Sequence, residues 1–174
     1  MNEPRLISPT VTYKDSVIAA YAEFRAEGRY ARLDLDWMAA HFDGYVAGLL
    51  SRRHTPTRPG AVTSHELWLV DGDMYIGRFS IRHELNESLK TYGGHIGYDV
   101  RPSMRLRGYG TRGLALLIPI ARDLGLTRLL ITCDETNTGS QKIIAANGGV
   151  YHDTVQNKDR DVPTQHWWVE IAPK

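Results

Sequence analysis

The sequence predicts one α/β domain over residues 1–174, a mixed sheet with helices on its faces. Three observations predict it. The length suits a single core of ordinary size. Short β-rich runs such as HELWLV and HWWVEI share the chain with helical patterns. One mostly apolar, β-rich run, RLLITC at 128–133, sits between two helical segments, as a buried parallel strand does.

The elements follow in order. PRLISPT reads as a short first strand. VTYKDSVIAAYAEFRAEG reads as a helix with Thr12 as N-cap and Asp15 three residues on. Val17, Tyr21 and Phe24 form its apolar stripe, and Gly28 ends it. GRYARLDLD is a linker. WMAAHFDGYVAGLLSRR reads as a second helix, weakened by Gly44 and Gly48. HTPTRPGAV is a loop by composition. HELWLV and MYIGRFSIRH are two strands joined at Asp71-Gly72, a hairpin signal. HIGYDV at 95–100 is a further strand. Gly93, Gly94 and Gly97 mark it for a bulge or a close approach. A helix runs from about Thr111 to Leu124, and Pro119 should kink it. Residues 137–147 are helical and stop at Asn147-Gly148-Gly149. VYHDTV and HWWVEI close the chain as strands. The order is β-α-α-β-β-β-α-β-α-β-β.

Composition narrows the function classes. The net charge of +1 gives no global reason to expect nucleic acid or an anionic membrane as partner. Cys133 is the one cysteine, so no intramolecular disulfide forms, which fits a reducing cytoplasm. MNEPRLISPT lacks the apolar core of a signal peptide, and no apolar run reaches the length of a membrane span. The expected location is therefore cytoplasmic. No metal site is expected.

The chemistry concentrates in RLRGYGTRG at 105–113. Gly108-x-Gly110-x-x-Gly113 matches the dinucleotide fingerprint, and Asp134 follows Gly113 by 21 residues, near where a ribose-binding carboxylate belongs. Three observations oppose a dinucleotide. Seven residues, RPSMRLR, separate Val100 from Gly108, whereas a Rossmann turn starts at the strand end. Only 61 residues follow Gly113, too few for a series of βα units. Arg101, Arg105, Arg107 and Arg112 crowd the turn with no acid between 101 and 112, which suits a ligand of higher phosphate charge. A P-loop is ruled out, because Leu114 stands where its lysine must be. A strand, a basic glycine turn and a helix N-terminus remain, and these make a pyrophosphate cradle.

Arg105-x-x-Gly108-x-Gly110 also has the form R/Q-x-x-G-x-G/A. Asn137-x-x-Ser140 follows in DETNTGSQKIIAANGG, with Gly148 eight residues beyond Ser140. Over about residues 93–150 the chain resembles the GCN5-related N-acetyltransferases, the GNAT family, and most closely a bacterial branch known as predicted acetyltransferases. The resemblance implies a GNAT-like fold: a central, mostly antiparallel sheet with a splayed parallel strand pair and flanking helices. It implies acetyl-CoA as co-substrate. Backbone groups of Tyr98, Asp99 and Val100 would meet the pantetheine and thioester. The amides of Leu106, Arg107, Gly108, Tyr109, Gly110 and Thr111 would hold the pyrophosphate, with Arg105, Arg107 or Arg112 reaching a phosphate. Asn137 and Ser140 would flank the cofactor.

In the family an amine attacks the acetyl thioester directly. A strand amide aimed at the thioester oxygen stabilises the oxyanion, and a base takes the amine proton. His95 is the favoured base, an imidazole on the splayed strand. Asp134 and Glu135 come next, at a strand end, and His83 and Glu84 are further candidates. The tyrosine that many relatives carry seven residues after the asparagine is Ile144 here, which donates no proton. Tyr98, Tyr151 or water would replace it. Cys133 is a candidate nucleophile for a ping-pong route, or a small buried apolar residue.

The acceptor regions offer Asp34, Asp36, Asp43, Tyr45, Glu84, Glu87, Trp167 and Trp168, a set suited to a cationic amine. The leading reading is an acetyl-CoA-dependent N-acyltransferase acting on a primary amine of a small molecule or peptide. The alternatives are a non-catalytic acyl-CoA sensor, favoured by Ile144, and a nicotinamide oxidoreductase, favoured by the literal glycine motif alone. A homodimer through the C-terminal strands is common in the family and stays open here.

Overall fold

The computed structural model describes residues 3–156 and 161–172. The sheet grows outward from the Asp71-Gly72 hairpin. β2 (Ser64–Asp71) and β3 (Met74–Arg82) pair antiparallel around it, with Gly72 at φ 56°. β1 (Arg5–Ile7) joins β2 on one side, and β4 (Ile96–Val100) joins β3 on the other, both antiparallel. β5 (Arg128–Asp134) follows, parallel to β4. β7 (Thr164–Glu170) and β6 (Val150–Val155) complete a seven-stranded sheet in the order β1-β2-β3-β4-β5-β7-β6. The mixed sheet with one parallel pair is the architecture expected.

Helices cover both faces because strand side chains alternate. α1 (Lys14–Ala26), α2 (Leu35–Ala40) and α3 (Phe42–Ser51) pack Val17, Phe24, Met38, Phe42 and Val46 against Trp68, Val70 and Tyr75. α4 (Tyr109–Asp123) and α5 (Thr138–Ala146) cover the opposite face, placing Leu114, Leu117 and Ile144 on Leu69, Ile76, Phe79 and Ile131.

Two local expectations need correction. The helix over 37–53 is two helices broken at His41. The first starts earlier, because the Asp34 side chain accepts from the Trp37 N–H at 2.9 Å and caps it. Thr12 is not an N-cap. Thr10 takes that place ahead of a short 3-10 turn, and α1 starts at Lys14. α4 is continuous through Pro119. Of the bulge or close approach expected at Gly93, Gly94 and Gly97, the close approach is found: the β3–β4 register is regular from Ile96 to Val100, and a Cβ at Gly94 would lie 2.5 Å from the Leu130 carbonyl oxygen. The irregularity lies just before β4, in a π-turn over Leu89–Gly93 that ends at Gly94 with φ 61°.

Candidate functional site

The parallel pair sets the site. β4 and β5 share one register pair, Ile96 with Ile131. Ahead of it, the His95 N–H donates to the Leu130 carbonyl at 2.7 Å. The Leu130 N–H in turn donates to the His95 Nδ1 at 2.9 Å. An imidazole nitrogen thus substitutes for a backbone acceptor just before the one register pair, Ile96 with Ile131. Beyond it the strands part.

Backbone direction along β4 follows from the ladder with β3. The Arg82 N–H donates to the His95 carbonyl, and the Arg101 N–H donates to the Ile76 carbonyl. With a two-residue period, the His95 carbonyl and the backbone groups of residues 97, 99 and 101 turn toward β3, while the His95 N–H alone crosses to β5. Ile96, Tyr98 and Val100 turn theirs toward β5. The Val100 carbonyl accepts from Arg105 Nε at 3.1 Å. The Tyr98 N–H and C=O therefore face the gap between the strands.

That gap opens into a cleft of about 980 Å³. Tyr98, Asp99 and Val100 line one wall, Thr132, Cys133 and Asp134 the other, and Leu106, Gly108, Gly110 and Thr111 one end. Asn137 and Ser140 line it from α5, where the Asn137 carboxamide oxygen accepts from the Ser140 N–H at 3.0 Å. At the cradle, Leu106 (φ 59°) and Gly108 (φ 80°) are both left-handed. Leu106 is fully exposed, so no apolar burial explains its conformation. Such a loop turns backbone N–H groups inward ahead of the α4 N-terminus, which suits an anion. Gly113, the last glycine of the motif, serves packing: a Cβ there would lie 2.1 Å from Phe79 Cζ.

The arginines of the turn are less free than their spacing implies. Arg101 pairs with Glu23 at 2.7 Å and Arg105 with Glu27 at 2.8 Å, while Arg112 pairs with Glu3. Arg107 has no ion-pair partner among the described residues, but neither Arg107 nor Tyr109 lines the cleft. The Tyr109 hydroxyl donates to Asp71 at 2.7 Å.

The acid–base candidates separate in the same way. His95 is buried and does not line the cleft. Burial, reinforced by Arg82, holds its pKa below the ordinary range, and its Nδ1 is occupied by Leu130. This is the geometry of a neutral histidine locking a sheet. Glu135 is exposed and outside the cleft, with its N–H donating to the Pro163 carbonyl, whereas Asp134 lines the cleft. His83 is bound to Thr63 and His65 at 2.7 and 2.6 Å, away from the cleft. Burial pushes the Cys133 thiol up, which favours the small-apolar reading over a thiolate. Tyr151 is on exposed β6, bonded to Thr154. Ile144 is fully buried in the core.

Tyr98 is different. Its ring stacks on Phe79, and its hydroxyl shares a 2.7 Å hydrogen bond with Ser140 Oγ inside the cleft. Burial pushes its pKa up to about 12, so it keeps its proton at neutral pH.

Sequence reasoning missed Arg29, Arg82 and Lys142, which all line the cleft. Arg29 bonds the Asp99 carboxylate, which also accepts from Tyr30 at 2.6 Å and Arg78 at 2.8 Å. Asp99 therefore contributes no free charge. The acceptor candidates Asp34, Asp36, Asp43, Glu84 and Glu87 line neither this cleft nor its neighbour.

Comparison with known proteins agrees with this geometry. The family model for the acetyltransferase (GNAT) domain matches residues 10–150, so the chain belongs to the GNAT acetyltransferase family. No curated protein sequence matches it. Among solved structures it is similar to the microcin C7 self-immunity acetyltransferase MccE in complex with acetyl-CoA and AMP. The TM-score is 0.71 at 15% identity, covering 98% of this chain and 94% of that one. It is also similar to a Salmonella typhimurium acetyl transferase that modifies the N-terminal serine of ribosomal protein L7/L12 (TM-score 0.69, 15% identity, 99% and 97% covered). A third is Mycobacterium smegmatis RimJ in complex with CoA-disulfide (0.69, 15%, 97% and 82%). At these identities the likeness shows the fold. Among the described residues no helix is long and apolar enough to cross a membrane, and no group of three metal-ligating side chains occurs.

Proposed function

We propose that the protein is an acetyl-CoA-dependent N-acetyltransferase acting on a primary amine by direct transfer. One observation carries the reading: the cleft joins a β4–β5 gap lined by the Tyr98 backbone to a left-handed, glycine-bearing turn at a helix N-terminus. The gap suits a pantetheine arm, and the turn suits a pyrophosphate. The family match and the similar structures with acetyl-CoA or CoA bound support the same co-substrate.

Each residue then has a task. The Tyr98 N–H, held rigid by the β3 ladder, faces the thioester oxygen and stabilises the charge that develops there. The Tyr98 hydroxyl, with Ser140 donating to it, delivers a proton to the departing thiolate in place of the tyrosine replaced by Ile144. Asp134 accepts the amine proton, directly or through water. Asn137 orders the first turn of α5 and so positions Ser140. The non-catalytic sensor reading rests on Ile144 alone, and the Tyr98 hydroxyl in the cleft weighs against it.

The similar proteins do not fix the acceptor. One bears AMP beside acetyl-CoA, and another modifies a peptide N-terminus. The test is thiol release from acetyl-CoA over a panel of small amines and peptides with free N-termini. Amine-dependent release supports the enzyme. CoA binding without release from any amine supports the sensor.

A further inference from the structure

A second cavity, of about 660 Å³, lies across the sheet from α4 and α5, between the loop after α3 and the strands β2 and β3. Arg52, Arg58, Arg78 and Arg82 line it, and Glu66 is its one lining carboxylate. Glu66 is already consumed. Buried, it lies 3.3 Å from Arg78 and 3.9 Å from Arg52. Arg78 also holds Asp99. Among the described residues no carboxylate forms a contact ion pair with Arg58 or Arg82, and Glu66 acts on Arg82 only from a distance.

Arg82 is the distinctive member. It lines both this cavity and the acyl-CoA cleft. Its Nη1 donates to the carbonyls of Gly93 and Gly94 at 2.8 and 2.9 Å. Its Nη2 lies over Gly97, 3.7 Å from where a Cβ would stand. A guanidinium cannot shed its charge, and a largely buried cation without a counter-ion is costly. Burial and Arg78 press its pKa down, against a smaller opposing pull from Glu66. Two carbonyls compensate it in part. Arg82 is thus shared by the linings of the two cavities, with its Nη2 beside Gly97, the residue before Tyr98.

We infer that this cavity receives the acceptor, and that the acceptor carries an anionic group, a carboxylate or a phosphate, held by Arg82 and Arg58. The inference rests on the acetyltransferase reading for the word acceptor, but the anion site stands on the arginines alone. It reverses the charge that the scattered acidic residues of the sequence suggested.

The test uses matched amine pairs: phosphoethanolamine against ethanolamine, and β-alanine against propylamine. Calorimetry gives their affinity for the CoA-saturated protein and for the protein alone, and thiol release from acetyl-CoA gives kcat/KM. One member of at least one pair, the anionic one, should bind about tenfold more tightly, the scale of a charge-assisted contact. Which pair responds tells phosphate from carboxylate. The preference should fall to about threefold or less in R58Q and R82Q but persist in R107Q, which alters the cradle. Arg58 is exposed in a loop, and its one bond among the described residues is its carbonyl accepting from the Ala61 N–H, which R58Q retains, so R58Q keeps the test valid if R82Q folds poorly. Equal binding within both pairs, binding of neither member, or a preference that survives R58Q and R82Q overturns the inference. Failure of CoA itself to bind counts against the acetyltransferase reading instead, because the anion preference is read without CoA as well.

Discussion

Replacing Tyr98 by Phe removes one oxygen from the cleft and leaves the ring stacked on Phe79 at a 5.5 Å centroid distance. Two effects follow, and their sizes differ. The lost hydrogen bond to Ser140 costs about 1 kcal/mol of stability. For a chain of this length that lowers Tm by roughly 2–4 °C. The lost proton donor acts on kcat. General acids contribute about 10²–10⁴-fold, and the low end applies because a thiolate leaves tolerably well unprotonated. Y98F should therefore lower kcat about 10- to 100-fold, or about 1.4–2.7 kcal/mol in the barrier. CoA affinity should stay within about twofold, since the Tyr98 backbone that faces the gap is retained. With the hydroxyl pKa pushed up to about 12, the native donor stays protonated, so the loss should be constant from about pH 7 to 9. The assay is thiol release with the best amine of the panel, beside a CoA titration. A kcat within twofold of the native value, with CoA affinity unchanged, refutes the assignment.

Three further outcomes are expected. G113A should destabilise by about 1–3 kcal/mol despite the better helix propensity of Ala, because its Cβ would meet the buried Phe79 ring at 2.1 Å; chemical denaturation measures it. E27Q should tighten CoA binding about two- to fivefold at low salt by freeing Arg105 from an exposed pair, and 0.5 M salt should erase the gain. His95 is held below its ordinary pKa by burial and Arg82, so its contribution is complete above about pH 6.5 and drains as pH falls toward the folded value. H95Q should flatten the loss of Tm between about pH 6.5 and 5; His65 and His83, also lowered by burial, keep part of the slope.

Much of the fold was legible where the signal is local. Asp71-Gly72 announces its hairpin, and the apolar RLLITC announces a strand with a neighbour on each side. The glycine turn was legible because Gly108 and Gly113 answer backbone demands, one a left-handed φ and one a close approach. The charge around it was not. Arg101, Arg105 and Arg112 look uncompensated in sequence, yet Glu23, Glu27 and Glu3 reach them from distant segments. His95 looked like a base because it sits on the splayed strand. Its ring ties β4 to β5 beside their one register pair, a bond with Leu130 that no spacing encodes. Arg82 was invisible for the converse reason: a strand-end arginine is usually solvated, and only the fold encloses it between two cavities.

The central claim is that the cleft binds acetyl-CoA. Thermal unfolding with acetyl-CoA, CoA or NAD, each at millimolar concentration, tests it most directly. A ligand at 100 times its dissociation constant stabilises by about 2.7 kcal/mol, which for this chain is a rise in Tm of roughly 5–11 °C. The account predicts that rise with acetyl-CoA and with CoA, and none with NAD. A rise with NAD alone would contradict it and return the glycine motif to its literal dinucleotide reading.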